Sequence, residues 1–187
     1  MKFEKIVFLM ITISVCTVLI TTQLQTQDNI SVLVNNSGPH IGTAIPHDYG
    51  FDGSGIIISV IDTGVDFNHP DLLGLGLEGK IIGGYDFVDN DEMPEDSNGH
   101  GTQVAGIIAS NGNLKGIAPN SKILAYRVSE DGESVSSNLI IKAIEKSIDD
   151  NADIINISLG VNQTNTKIDQ VVTKAIQNNI FVVTAAG

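Results

Sequence analysis

Two short stretches of the sequence hold residues suited to proton transfer. Asn98-Gly99-His100-Gly101-Thr102-Gln103-Val104-Ala105-Gly106 sets a histidine between glycines at the head of small and apolar residues with helical spacing. A glycine on each side weakens a helix start by roughly 1 kcal/mol per residue relative to alanine, so something approaches that backbone closely. Taken alone, the stretch reads either as a glycine-rich helix start with an incidental histidine or as an imidazole held at a helix N-terminus for proton transfer. The second stretch, Ile61-Asp62-Thr63-Gly64, ends an apolar run on a carboxylate. An Asp at a strand end beside a His at a helix start is the pair that orients an imidazole and stabilises its protonated form in nucleophilic hydrolysis.

The elements that must position this pair are legible in the apolar pattern. Ile56-Ile57-Ile58-Ser59-Val60-Ile61 is a β-branched run with no polar face, as expected of a strand buried on both sides of a parallel sheet. Ile81-Ile82-Gly83-Gly84-Tyr85 is a weaker strand, and the acidic loop with Asp89, Asp91, Glu92, Glu95 and Asp96 leads into the His100 helix. Strands follow at Ile123-Leu124-Ala125-Tyr126-Arg127-Val128, at Asp153 to Gly160 and at Ile180 to Ala185. Between them lie two helices, one over 135–150 with Leu139, Ile140, Ala143, Ile144 and Ile148 on one face, and one carrying Ile168, Val171, Val172, Ala175 and Ile176. This alternation predicts an α/β fold of right-handed βαβ units, a parallel sheet with helices on both faces. Ligands in such sheets sit at the carboxyl ends of the strands, which here are Asp62-Thr63-Gly64, Ser158-Leu159-Gly160 and Ala185-Ala186-Gly187.

Composition bounds the setting. The 187 residues are 42% hydrophobic and 17% charged, those of a globular protein with one domain after any targeting segment. Ten Lys plus Arg stand against 22 Asp plus Glu, a net charge of -12, which excludes nucleic acid or an anionic membrane as the main partner. Residues 1–27 place Lys2 and Lys5 before an apolar run from Ile6 to Ile20 and a polar Thr/Gln stretch, the layout of a secretory signal. The run falls short of the roughly 20 residues of a membrane-spanning helix, although no A-x-A-like cleavage site follows it. The expectation is a secreted or extracytoplasmic protein, membrane-anchored only if this segment stays uncleaved. The one cysteine, Cys16, lies inside it, which leaves 28–187 without disulfides, a thiol nucleophile or Cys-ligated zinc. Residues 28 to 45 read as an extended lead-in with a turn at Asn35-Asn36-Ser37-Gly38-Pro39.

From about Ile41 to Gly187 the sequence resembles the subtilisin-like serine proteases. Val60-Ile61-Asp62-Thr63-Gly64-Val65-Asp66 with His69-Pro70-Asp71-Leu72 is similar to the family's catalytic-aspartate segment, and His100-Gly101-Thr102-Gln103-Val104-Ala105-Gly106 to its catalytic-histidine helix. Gly116-Ile117-Ala118-Pro119 and Ile155-Asn156-Ile157-Ser158-Leu159-Gly160 match two further segments in family order. The resemblance implies the N-terminal part of a peptidase domain over 28–187, a three-layer fold truncated after about five strands. It also implies roles: Asp62 orients His100, and His100 acts as general base and then general acid. Ser158, Leu159 and Gly160 form a wall of the primary specificity pocket, and Gly132 and Glu133 lie at the edge where an extended peptide pairs as a strand. The glycines around His100 then read as clearance for substrate and serine.

Three departures from the family pattern qualify what the resemblance implies. Gln103 replaces a common second histidine, with His100 itself intact. The segment between Gly106 and Gly116 is shorter than the loop of calcium-binding members. Asp71 matches a calcium ligand, so calcium stays open as a structural ion, while the chemistry needs no cofactor and no catalytic metal is implied. The family's oxyanion asparagine follows the Ala-Ala-Gly at 185–187 and its nucleophilic serine lies later, so both are missing from these residues. The implied function is a serine endopeptidase acting on protein or peptide substrates, present as an incomplete catalytic domain and inactive as given. The alternative is a non-catalytic peptide-binding remnant of the same fold. A third arrangement, a metal site from Asp66, His69, Asp71 and His100, lacks a His pair at a ligand spacing.

Overall fold

A computed structural model describes residues 38–185 apart from 75, 77, 78, 134 and 161–164. The secretory segment at 1–27, most of the lead-in and the terminal Ala186-Gly187 lie outside the described residues. In chain order the elements are helix α1 (Ala44–Asp48), strand β1 (Ile57–Asp62), a short 3-10 turn (Pro70–Leu72), β2 (Ile81–Asp86), α2 (His100–Ala109), β3 (Lys122–Arg127), α3 (Ser137–Asp149), β4 (Ile154–Ile157), α4 (Thr166–Gln177) and β5 (Phe181–Thr184). The strands fall within a residue or a few of the segments read from the pattern.

The five strands form one sheet in the order β2-β3-β1-β4-β5, and every pairing is parallel. β1 is the central strand of the five, and Ile58 through Asp62 are all buried. Alternation then divides its side chains between two cores. Ile58 and Val60 join Ile123, Ala125, Ala105 and Ala109 under α2, whereas Ile61 joins Leu124, Tyr126, Ile144, Ile155 and Ala175 under α3 and α4. Each fully buried Val or Ile contributes roughly 1.5–3 kcal/mol over its exposed state. The fold is the α/β three-layer arrangement expected, with helices on both faces of a parallel sheet.

The structure corrects two expectations. The lead-in is not extended throughout, since residues 38–40 and the first two residues of α1 are helical, with Gly42 N donating to Pro39 O at 3.2 Å and Thr43 N to Gly38 O at 3.1 Å. α1 has no buried residue and so no apolar period to betray it, and Pro46 in its first turn loses only an amide that lacks a helical partner there. The second correction concerns handedness. The β2-α2-β3 and β3-α3-β4 crossovers run the same way along the sheet, but α2 and α3 lie on opposite faces. The two crossovers therefore have opposite hands, against the uniform right-handedness that alternation alone predicts. Placing α2 on its own face is what puts the start of that helix over the end of β1.

Candidate active site

Asp62 is the last residue of β1 and follows Ile58 and Val60 on the alternation, so it points to the α2 side of the sheet. His100 is the first residue of α2. Its Nδ1 lies 2.7 Å from Asp62 Oδ1; the Asp62 side chain is fully buried and the His100 side chain 43% exposed. Thr63 N also donates to Oδ1, at 2.7 Å. A carboxylate accepts only, so in the neutral imidazole Nδ1 carries the proton and Nε2 keeps its lone pair. Asp62 Oδ2 is buried with no hydrogen-bond partner among the described residues. Leaving such an atom unpaired costs about 1–3 kcal/mol, and a catalytic role is one of the reasons a buried polar atom is left so. The arrangement can hold an imidazole in one tautomer and stabilise it when it takes a second proton.

The clearance at the flanking glycines is not what the sequence suggests. A Cβ on Gly101 would sit 2.1 Å from Gly64 O and 3.1 Å from Asp62 Oδ1, so this glycine lets α2 come down on the β1 exit and is not space for substrate. Gly99 is needed for its backbone: it caps the helix at φ 103°, in the left-handed region. As a cap it brings no side chain, and Asp96 supplies the missing acceptors from three residues upstream. Its Oδ1 accepts from Gly99 N and Asn98 N, both at 2.9 Å, and its Oδ2 from Thr102 N at 2.9 Å. Sequence reasoning shows Asp96 only as one carboxylate of an acidic loop; the signal available is an acidic residue just upstream of a helix start, where the helix dipole favours negative charge.

The remaining predicted residues gather at the same edge of the sheet. Gly132 packs beside the pair, since a Cβ there would lie 3.5 Å from Thr63 Cγ2 and 3.9 Å from His100 Cβ. Its loop is tied to the histidine segment by Asn98, whose Nδ2 donates to Asp131 O at 3.0 Å while its Oδ1 accepts from His100 N at 3.2 Å. Glu133 is exposed, its amide bonded to Asp131 Oδ1 at 2.9 Å. Ser158, Leu159 and Gly160 follow β4, whose Ile157 is paired with Ile61, so they leave the sheet next to Asp62. Ser158 Oγ accepts from Asn156 Nδ2 at 2.9 Å. Ser110 is buried at the opposite end of α2, about 15 Å of helix away from His100.

The carboxylates considered for metal binding are engaged in other ways. Asp71 is buried, and its Oδ1 accepts from Asn113 N at 2.8 Å and its Oδ2 from Leu114 N at 3.2 Å. A Cβ on Gly112 would come within 2.1 Å of Oδ1. Both oxygens of this carboxylate are engaged by backbone amides of the short 110–116 loop. His69 Nδ1 accepts from Asp71 N at 3.2 Å and so caps the 3-10 turn. Among the described residues no group of three or more His, Cys, Asp or Glu is placed to hold a metal. Asp86, at the end of β2, and Asp89, in the acidic loop, both accept from Arg127 Nη1, at 2.7 and 2.6 Å. Burial works against the Arg127 charge, and these two hydrogen bonds together with the negative charges of Asp86 and Asp89 more than offset it, holding the guanidinium above its ordinary pKa.

Comparison with known proteins agrees with this geometry. A model of the Subtilase family matches residues 53–187. The minor extracellular protease Vpr of Bacillus subtilis (strain 168) is 38% identical over 175 residues, covering 86% of this chain and 21% of that protein. Thermitase of Thermoactinomyces vulgaris is 42% identical over 140 residues, covering 73% of this chain and 48% of its own length. Among solved structures, a cold adapted subtilisin-like serine proteinase superposes with a TM-score of 0.63 at 39% identity, over 73% of this chain and 48% of that one. The chain spans less than half the length of these relatives. With the aspartate and histidine segments, the parallel sheet and the family match all in one stretch, the chain belongs to the Subtilase family.

Proposed function

We propose that this chain carries the Asp–His half of a serine endopeptidase that hydrolyses peptide bonds in protein substrates. The observation that supports this most directly is the 2.7 Å contact between His100 Nδ1 and the buried Asp62 carboxylate. In the proposed mechanism His100 Nε2 takes the proton of a serine nucleophile as that serine attacks the scissile carbonyl, then gives it to the leaving amine. Asp62 fixes the tautomer and stabilises the imidazolium between the two transfers. Backbone at Ser158-Leu159-Gly160 and along Ser129–Glu133 borders the substrate, the second segment as a strand-pairing edge. No cofactor enters the chemistry.

The family's nucleophilic serine and oxyanion asparagine have no counterpart in residues 1–187, so we infer that these residues alone do not hydrolyse peptides. In subtilisin, loss of the serine costs about a millionfold in turnover and loss of an oxyanion donor about a hundred- to a thousandfold. Residues 1–27 support export of the chain. No described helix is long and apolar enough to cross a membrane. Glu130, Asp131 and Glu133 support a preference for basic residues on the non-prime side of the substrate, which equal cleavage of basic and neutral peptide series would reject.

The test has two arms. A fluorophosphonate probe is expected to leave the 187-residue chain unlabelled, and labelling at Ser158 or Ser110 would overturn the assignment of roles. Extended by a family C-terminal half, the chain is expected to cleave protein substrates and to lose about a millionfold in kcat with His100→Ala. Hydrolysis that survives His100→Ala would refute the proposed mechanism.

A further inference from the structure

We propose that Asp96 is a positioning residue for the His100–Asp62 pair, acting by fixing the proton direction of two threonine hydroxyls that cross-link β1 and α2. The inference rests on the functional reading above and deepens it. The Asp62–His100 contact joins a strand end to a helix start, so its length depends on how those two elements are held against each other. Among the described residues two amide-to-hydroxyl hydrogen bonds cross that junction. Gly101 N, in α2, donates to Thr63 Oγ1 at 2.9 Å, and Asp66 N, in the β1 exit, donates to Thr102 Oγ1 at 2.9 Å. The two cross-links run in opposite directions, one amide from each side onto one hydroxyl on the other.

A hydroxyl has a single proton, and it accepts from an amide only if that proton points elsewhere. Asp96 takes both protons. Thr63 Oγ1 donates to Asp96 Oδ1 at 2.9 Å, and Thr102 Oγ1 donates to Asp96 Oδ2 at 2.6 Å. With the amides of Asn98, Gly99 and Thr102, this one carboxylate holds donors from the β1 exit, the loop before α2 and the first turn of α2. Two carboxylate oxygens supply about four lone-pair sites and here meet five donors, three at Oδ1 and two at Oδ2, so none of that capacity remains for a ligand. Hydrogen bonds to a charged acceptor are shorter and roughly twice as strong as neutral ones, which suits Asp96 to lock both rotors at once. Among the described residues Asp96 makes no hydrogen bond to the imidazole or to Asp62, and its effect on the histidine passes through Thr63 and Thr102.

The experiment is 15N NMR of histidine-labelled full chain, reading the tautomer of neutral His100 and the exchange of its Nδ1 proton with water. The wild type is expected to show Nδ1–H and a pyridine-like Nε2. Thr63→Val removes one cross-link without changing charge and is expected to speed Nδ1 proton exchange about two- to tenfold, the factor given by the loss of one net hydrogen bond. Thr63→Ser keeps the hydroxyl and is expected to restore the wild-type rate. Asp96→Asn, which offers only one acceptor oxygen, is expected to give a similar increase and a mixed tautomer population. If Asp96→Asn folds poorly, Thr102→Val and its Thr102→Ser rescue read the other cross-link. Wild-type exchange and tautomer in all of these variants, with both altered by Asp62→Asn, would overturn the role of Asp96 and leave the Asp–His reading standing. A wild type already lacking the Nδ1–H tautomer would overturn that reading itself.

Discussion

β1 and β5 are short parallel strands of similar composition, yet β1 is buried from Ile58 onward while β5 leaves Phe181 75% and Val183 53% exposed. The difference lies in their neighbours. β1 is paired on both sides, by β3 and β4, and has helices over both faces. β5 pairs with β4 alone among the described residues, at the edge of the sheet. An apolar strand is therefore not buried by its own composition; its place in the sheet decides. The chemistry follows the same division. The carboxylate that ends β1 is met by the His100 imidazole, the Thr63 amide and the close-packed backbone of Gly101. Among the described residues nothing comparable gathers at the end of β5.

Mutations graded from the closed region to the open one can break this comparison. Ile61→Ala removes a fully buried side chain at the centre of the sheet and is expected to cost about 2–5 kcal/mol, read from the denaturant midpoint. Phe181→Ala, at the edge, is expected to stay within about 0.5 kcal/mol, and equal losses at the two sites would contradict the account of β1 and β5. Gly101→Ala drives a methyl group into Gly64 O; a loss of about 1–3 kcal/mol is expected, together with a displaced His100 resonance. Asp71→Ala leaves the amides of Asn113 and Leu114 without their acceptor, at a cost of about 1–3 kcal/mol that added calcium does not change.

The smallest effect belongs to Asp52, outside both cores. Its carboxyl is held at about 2, below the usual 3.8, by the Ser54 hydroxyl and amide and by Asn120. Because the folded-state value is the lower one, its contribution is fully present above pH 3.8 and is lost as pH falls toward 2. Asp52→Asn is expected to flatten that part of the acid-unfolding curve and to lower stability by a small, pH-independent amount above it. A change at neutral pH as large as that of Ile61→Ala would sink the grading.

Much of this architecture is legible in the amino-acid sequence because it is periodic or punctuated. The β-branched run before Asp62 and the apolar faces of α3 and α4 mark the strands and helices within a few residues, and Asp62 and His100 stand out at element boundaries. Other features are hidden for physical reasons. α1 buries nothing and has no apolar stripe, so its helix is made by local hydrogen bonds that leave no pattern. The opposite hands of the β2-β3 and β3-β4 crossovers depend on which face each helix covers, a tertiary property absent from alternation. Asp96 caps α2 from beyond a left-handed glycine, a geometry that a search for Ser, Thr, Asp or Asn directly before the helix passes over. The purpose of Gly101 is hidden too, because spacing shows that room is needed but not what fills it.

The central claim is that Asp62 holds His100 with its proton on Nδ1, leaving Nε2 free to act as the base. The most direct measurement is the 15N spectrum of neutral His100 in the full chain and in Asp62→Asn. The account predicts a protonated Nδ1 and an unprotonated Nε2 in the wild type, with that preference lost in Asp62→Asn. A wild-type His100 protonated on Nε2, or a spectrum that Asp62→Asn leaves unchanged, would contradict it.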